Sequence, residues 1–363
     1  MAWSVVSGAD QRADAISRLA VKFLNGRIPA EEQSEIEKAL TLYTDDVSPK
    51  VRIALARVLA RSDNAPRHLI WALSQDIAEV STIIYSRSSV LGSRDLINAI
   101  SNGKTAIQQA IASRETLDGD TIRALVRDAG GAAILDLLHN PQVVLGPGLK
   151  HDIAQRMGDR PEIRATLLND DMIDPATRQL LCERLSTSLL DFSSNMGWSD
   201  GDRLQKVAND ARNRVTVEIA MKSAPHQMGG YVDHLQQSGQ LSAALLLRAS
   251  CMGHAALFEC ALSKLSGTSL RRVQAIIDEG RVSAFNSLYG RTGLPKSAYP
   301  VFVAAIEAWQ QPKDMPELID QILDRAQAHE EVDGSLLAML AQMSCEAKRE
   351  AAQNHEKQVL LAA

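Results

Sequence analysis

Aromatic residues make up only 4% of this chain. That scarcity removes the usual platforms for stacking nucleic-acid bases and leaves Ala, Leu and Ile to build the core. Strand-like alternation rich in Val, Thr and Tyr is absent as well, which argues for an all-α protein. Cysteine is sparse: Cys182, Cys251, Cys260 and Cys345 are scattered, with no framework spacing, which excludes a disulfide scaffold and suits a reducing compartment. No apolar stretch approaches the roughly 18–20 residues of a membrane helix; Leu241–Leu247 is interrupted by Ser242 and stops at Arg248. The start, Met1–Asp10, lacks the basic and long apolar regions of a secretory leader, so a cytoplasmic protein is expected. Neither sign of charge dominates. The formal balance of −5 gives no general attraction to nucleic acid or anionic lipid.

What is present is a repeat. Five stretches follow a short amphipathic helix with a turn and a second short helix. The first helices begin at Val51, Val80, Ile107, Ile134 and Ile163, a period of 27–29 residues. Apolar residues recur three and four positions on: Ala54/Leu55, Ile83/Ile84, Ala110/Ile111, Leu137/Leu138, and Leu167 beside Thr166. The second helices cover Leu69–Leu73, Leu96–Ile100, Ile122–Val126, Leu149–Ile153 and Thr177–Leu181. One such pair cannot bury its own apolar stripe, so neighbours must stack, and the expected architecture is an α-solenoid of short antiparallel helix pairs. Turn chemistry marks the boundaries: Asn102-Gly103, Gly130-Gly131, Asn140-Pro141, Gly146-Pro147-Gly148 and Asp174-Pro175. Ser93 is expected to cap the second helix of its repeat, and Asp118 or Asp120 that of the next.

The repeats occupy 45–185, preceded by a helical cap over 1–44. Residues 186–230 break the pattern and read as a linker with a connecting helix. A differently punctuated helical block follows over 231–311, with Gly239, Gly253, Gly267 and Gly280 near successive helix ends, and then C-terminal helices over 312–363. The last helix is long enough to leave self-association through it open.

Particular segments carry a resemblance. Asp76–Ile100 (DIAEVSTIIYSRSSVLGSRDLINAI), Ala110–Val126 (AIASRETLDGDTIRALV), Leu137–Leu145 (LLHNPQVVL), Ser238–Gly267 and Leu288–Pro295 (LYGRTGLP) together resemble the alphaproteobacterial family of domain of unknown function 2336. Ser81-Thr82 and Ser88-Ser89 depart from its pattern, standing where proline or alanine is expected. The resemblance implies a HEAT-like helical solenoid and no catalytic residues.

The chemistry-bearing residues point the same way. Cys251-x-x-His254 with Cys260, and His226 and His234 upstream, is the best metal candidate, but it lacks a knuckle spacing and a fourth ligand, and core packing explains both cysteines. No phosphate-binding glycine loop follows a strand, and Gly229-Gly230 reads as a helix junction. Glu115 beside Arg114 reads as a surface ion pair. Basic residues are tested as a nucleic-acid groove: Lys50, Arg52, Arg57, Arg61 and Arg67, then Arg87 and Arg94, and separately Arg203, Lys206, Arg212 and Arg214. The residue after each leading apolar is Arg52, Ser81, Gln108, Leu135 and Arg164, which is not one charge. The expectation is therefore a non-enzymatic scaffold or adaptor that binds another protein, with no catalytic, cofactor or metal residues. A HEAT-like nucleic-acid-binding or DNA-processing protein is the second reading. A small-ligand sensor hinged at 186–230 is the third. Partner contact is placed on the larger side chains of the second half: Trp198, Tyr231, Tyr289, Tyr299 and Trp309.

Overall fold

The computed structural model describes residues 8–26, 29–195, 201–309, 314–329 and 332–362; the side chains of 191–204, 206 and 354–362 lie outside that description. Among the described residues there are 21 α-helices, two short 3₁₀ turns and no strand. None of these helices is long and apolar enough to cross a membrane. The chain divides into two compact units, Met1–Asp171 and Met172–Ala363.

The first unit contains Ala9–Leu24 (α1), Ala30–Tyr43 (α2), Pro49–Leu59 (α3), Arg67–Ser74 (α4), Ala78–Arg87 (α5), Ser93–Ser101 (α6), Thr105–Ala112 (α7), Gly119–Asp128 (α8), Gly131–His139 (α9), Pro147–Met157 (α10) and Pro161–Leu168 (α11). The odd-numbered helices form a row: α1 packs on α3, α3 on α5, α5 on α7, α7 on α9 and α9 on α11. Among the even-numbered helices, α6 packs on α8 and α8 on α10. The pattern follows from the apolar spacing. Val51, Val80, Ile107, Ile134 and Ile163 are all buried, and so are Leu55, Ile84, Ile111, Leu137 and Leu167 one turn later. Residues three and four apart share one face of a helix, so each short helix offers its neighbours a single narrow stripe.

Helix starts follow local chemistry. Pro147 and Pro161 open α10 and α11, where the missing N–H leaves no bond unmade. The Asp118 carboxylate caps α8 by accepting from the Asp120 and Thr121 amides, both at 2.9 Å. Ser93 does not cap α6. Gly92 occupies that position, its amide donating to Asp95, and the Ser93 hydroxyl is free to donate across the repeat to Asp118 at 2.8 Å.

The second unit contains Pro175–Asn195 (α12), Gly201–Lys222 (α13), Met228–Gln237 (α14), Ala243–Cys251 (α15), Ala255–Ser266 (α16), Leu270–Asp278 (α17), Val282–Tyr289 (α18), Tyr299–Trp309 (α19), Met315–Gln327 (α20) and Gly334–Ala362 (α21). Residues 186–195, where the repeat signature fades, continue α12 as helix. Here α12 packs on α14, α14 on α16 and α16 on α18, while α15 packs on α13, α19 and α20. One contiguous core runs through the unit, from Val217 and Tyr231 through Phe258 and Phe302 to Ile322 and Leu340. Gly239, Gly253, Gly267 and Gly280 all take left-handed backbone, φ between +62° and +70°. A side chain at these helix ends would be strained, which is why glycine recurs there.

Candidate functional site

The aromatic residues expected at a partner surface divide sharply. Tyr231 is 1% exposed; its hydroxyl lies 3.1 Å from the Thr216 carbonyl and 3.0 Å from Gln179 Oε1, and burial pushes its acidity far down. Tyr289 is buried too and donates to the Pro295 carbonyl at 2.6 Å. These two belong to the core, because their phenol tips find internal acceptors and no polar end needs water. Tyr299 and Trp309 are half-buried. Trp309 donates from Nε1 to the Ser250 carbonyl at 2.9 Å. Tyr289, Tyr299 and Trp309 are joined in one run of rings through Phe302 and Phe258, with neighbouring centroids 5.2–5.8 Å apart. Trp198 lies outside the described residues.

A different feature stands out in the first unit. At the C-terminal ends of α3, α5 and α7 an open polar hollow of about 650 Å³ is lined by Ala60, Arg61, Ser86, Arg87, Ser113, Arg114, Glu115 and Thr116. Three consecutive row helices thus each bring an arginine to one place. Arg61 and Arg87 are exposed and carry no ion pair with a described residue.

Arg114 is the fixed member. It is 5% exposed, and its two terminal nitrogens donate to the Tyr85 and Ser88 carbonyls at 2.7 and 2.8 Å. Those carbonyls end α5, and a cation there answers the negative end of the helix dipole. Burial works against its charge; the field of Asp118 supports it. It makes no ion pair with Glu115, so the surface pair expected from sequence does not form: the guanidinium turns inward to the preceding repeat, and Glu115 stays exposed. Its Nε and the Ser88 hydroxyl are buried without a described partner.

This arrangement repeats. Asn140 sits 26 residues after Arg114 and, buried like it, donates to the Ala112 and Arg114 carbonyls at 2.9 and 2.8 Å. Arg114 likewise sits 26 residues after Ser88. Ser88 is buried with no described partner for its hydroxyl, and at the next two turns this position reaches back to the end of the row helix before it. The position just before it is Arg61, Arg87, Ser113 and His139 in successive repeats, all exposed. The register after each leading apolar carries no common charge. The informative register lies at the turn, and its signal is the constant 26-residue step.

The other basic candidates are largely occupied. Arg52 makes a two-pronged pair with Asp76, and Arg67 pairs with Asp95 at 2.9 Å. Lys50 pairs with Asp10, and Arg214 with Glu218 and Glu350. Arg203 and Lys206 lie outside the described side chains. A second hollow of about 680 Å³, between α1 and α2, has apolar walls from Ile16, Leu19 and Leu42, and its Arg12 and Asp46 are bound to each other. It offers no unspent charge of the kind that Arg61 and Arg87 present.

A family model described as an uncharacterised protein conserved in bacteria (DUF2336) matches residues 80–340. The chain belongs to this family. No curated protein and no solved structure matches it. In this DUF2336 protein the matched region starts within α5 and takes in Arg87 and Arg114, while Arg61 precedes it.

Two of the remaining chemical candidates, Cys251 and His254, have internal uses. Among the described residues, no group of three or more His, Cys, Asp or Glu side chains is placed to hold a metal ion. Cys251 is fully buried, its thiol pushed up to about 12 by that burial. His254 caps α16, with Nδ1 accepting from the Leu257 amide at 3.1 Å. Gly197-Trp198-Ser199-Asp200-Gly201 spells the pattern of a nucleophile elbow. Residues 197–200 lie outside the described residues; the elements described on either side are the helices α12 and α13, whereas that motif needs a strand leading into its turn.

Proposed function

We propose that this DUF2336 protein is a non-enzymatic, cytoplasmic scaffold or adaptor, a HEAT-like α-solenoid that binds another protein along the turns of its repeats. The observation that carries this reading is the arginine-lined hollow. It spans three successive row helices, so its length comes from the stacking itself. A surface of that length, with hydroxyls and fixed charge but an open mouth, suits a polypeptide better than a small substrate that must be enclosed. The four free cysteines support a reducing compartment.

Affinity purification of the tagged full-length chain from its own host, read by mass spectrometry at moderate salt, tests this. The expected result is one or more proteins recovered reproducibly over a tag-only control. If nothing reproducible co-purifies, the scaffold reading loses its support.

A further inference from the structure

Row helices packed as α3, α5 and α7 are lie about 8–10 Å apart. Arg61 and Arg87, at the ends of α3 and α5, therefore give two exposed cationic positions about one such step apart, and the Arg114 guanidinium, bound to the Tyr85 and Ser88 carbonyls, adds its charge at the α5 end. A polypeptide extended as a polyproline II helix advances about 3.1 Å per residue with three residues per turn, so every third side chain returns to one face at about that step. The walls match such a chain in other respects. Ser86, Ser113 and Thr116 line the hollow and supply hydroxyls that both donate and accept, as a peptide backbone requires. No aromatic residue lines it, so bases would find nothing to stack on. Glu115 stands exposed on the same wall, a negative charge that a continuous phosphate backbone would have to pass but a peptide need not match with an acid. The chain's overall charge is negative, so the attraction is local to these arginines.

We infer that this hollow takes an extended acidic segment of a partner protein, with carboxylates set against Arg61 and Arg87. The inference rests on the scaffold reading and names what the scaffold holds. Arg114, buried and bound through both terminal nitrogens to the Tyr85 and Ser88 carbonyls, is a fixed positive charge behind those two arginines that strengthens the local field. Arg61 and Arg87 are the exposed arms that meet the ligand, as two-pronged partners for carboxylates.

The test uses the full chain and a fluorescein-labelled peptide with Glu at every third position and Gly and Ser between, followed by anisotropy at low salt. Three comparison probes are the same peptide with Gln for Glu, a single-stranded oligonucleotide of similar length, and inorganic phosphate as competitor. The Glu peptide is expected to bind saturably and more weakly as salt rises, while the Gln peptide does not bind. R61E and R87E should each weaken binding about tenfold, since reversal adds repulsion to lost attraction. R57E, exposed on α3 but outside the hollow, should leave it unchanged. Thermal melts of R61E and R87E matching the wild type confirm that folding is intact.

Equal binding of the Gln peptide, or an equal loss in R57E, would overturn the inference. So would an oligonucleotide that binds more tightly than the Glu peptide and responds to R87E, or phosphate displacing the peptide completely at low concentration. A protein that recovers a partner from its host yet binds no acidic probe refutes the acidic segment and leaves the scaffold standing. Probe binding with no recoverable partner refutes the scaffold and leaves the anion site.

Discussion

The Asp118 carboxyl and the His254 imidazole spend their chemistry on helix ends, and each makes a prediction that pH can read. Burial tends to raise the Asp118 pKa, but bonds from the Thr121 amide and hydroxyl, Ser93 and the Asp120 amide outweigh it and hold it at about 2, below the ordinary 3.8. A depressed carboxyl stabilises the fold above its ordinary pKa, and that contribution is lost as pH falls from about 3.8 towards 2. Asp118→Ala is expected to cost about 1–2 kcal/mol at neutral pH, the usual worth of an N-cap, and to flatten the acid limb of a stability profile. Urea midpoints measured across pH check both. His254 is the converse case. Burial lowers its pKa below 6.5, and only the neutral ring can accept from the Leu257 amide. The unfolded chain then takes up a proton the folded chain refuses. This stabilisation is complete above about pH 6.5 and declines as pH falls below it. His254→Asn keeps an acceptor at the cap but has nothing to titrate. Its midpoint should hold steady between pH 7 and 5.5 relative to wild type, and an unchanged slope would remove His254 as the cause.

At the scale of elements, the tie that recurs is a side chain at one turn reaching back to the carbonyl end of the helix before. Arg114 does this to α5, and Asn140 to α7. Arg156 does the same to the carbonyls of Arg127 and Ala129 at the end of α8. These bonds satisfy groups that a short helix leaves orphaned and cannot cap with glycine when the next repeat covers its end. Asn140→Ala strands two buried carbonyls. It should destabilise the first unit by about 2–3 kcal/mol, with faster amide exchange in α7 and α9. Asn140→Asp should be worse, since it sets an acceptor and a charge against the same carbonyls.

The helices themselves were plain in the residues. The leading apolar of each repeat and its partner one turn on are buried, and the four recurrent glycines of the second half carry positive φ as their positions required. Periodicity reports burial directly, so it shows where cores form. It is silent on which way a polar side chain at a turn points. Arg114 and Glu115 are neighbours in sequence, and only the packing of α5 against α7 sends one inward and leaves the other out. Tyr231 and Tyr289 show the same limit: a large side chain marks a hot spot or a core with equal composition, and the internal acceptors at Thr216 and Pro295 decide for the core.

At the scale of the molecule, the arrangement of the first unit bears on how it fails as well as how it stands. Each odd-numbered helix from α3 to α9 is held by the row helix before it and the one after it. In a stack of that kind, stability is close to a sum of local terms and nearest-neighbour interfaces, so damage spreads along the row with diminishing effect. A globular core shares its loss among all members. Ile134, fully buried at the start of α9, is the place to ask which of these holds. Ile134→Ala removes a branched side chain that the short helix cannot replace by shifting, a change worth about 2–5 kcal/mol. Amide exchange should accelerate most in α9, next in α7 and α11, less in α5, and least in α1 and α3. An equal loss of protection from α1 to α11 would mean one cooperative core, and the solenoid reading would then fail. A graded response would also explain why the hollow can carry unpaired arginines. Its charges sit at the turns, where a repulsive residue costs one interface and leaves the rest of the row in place.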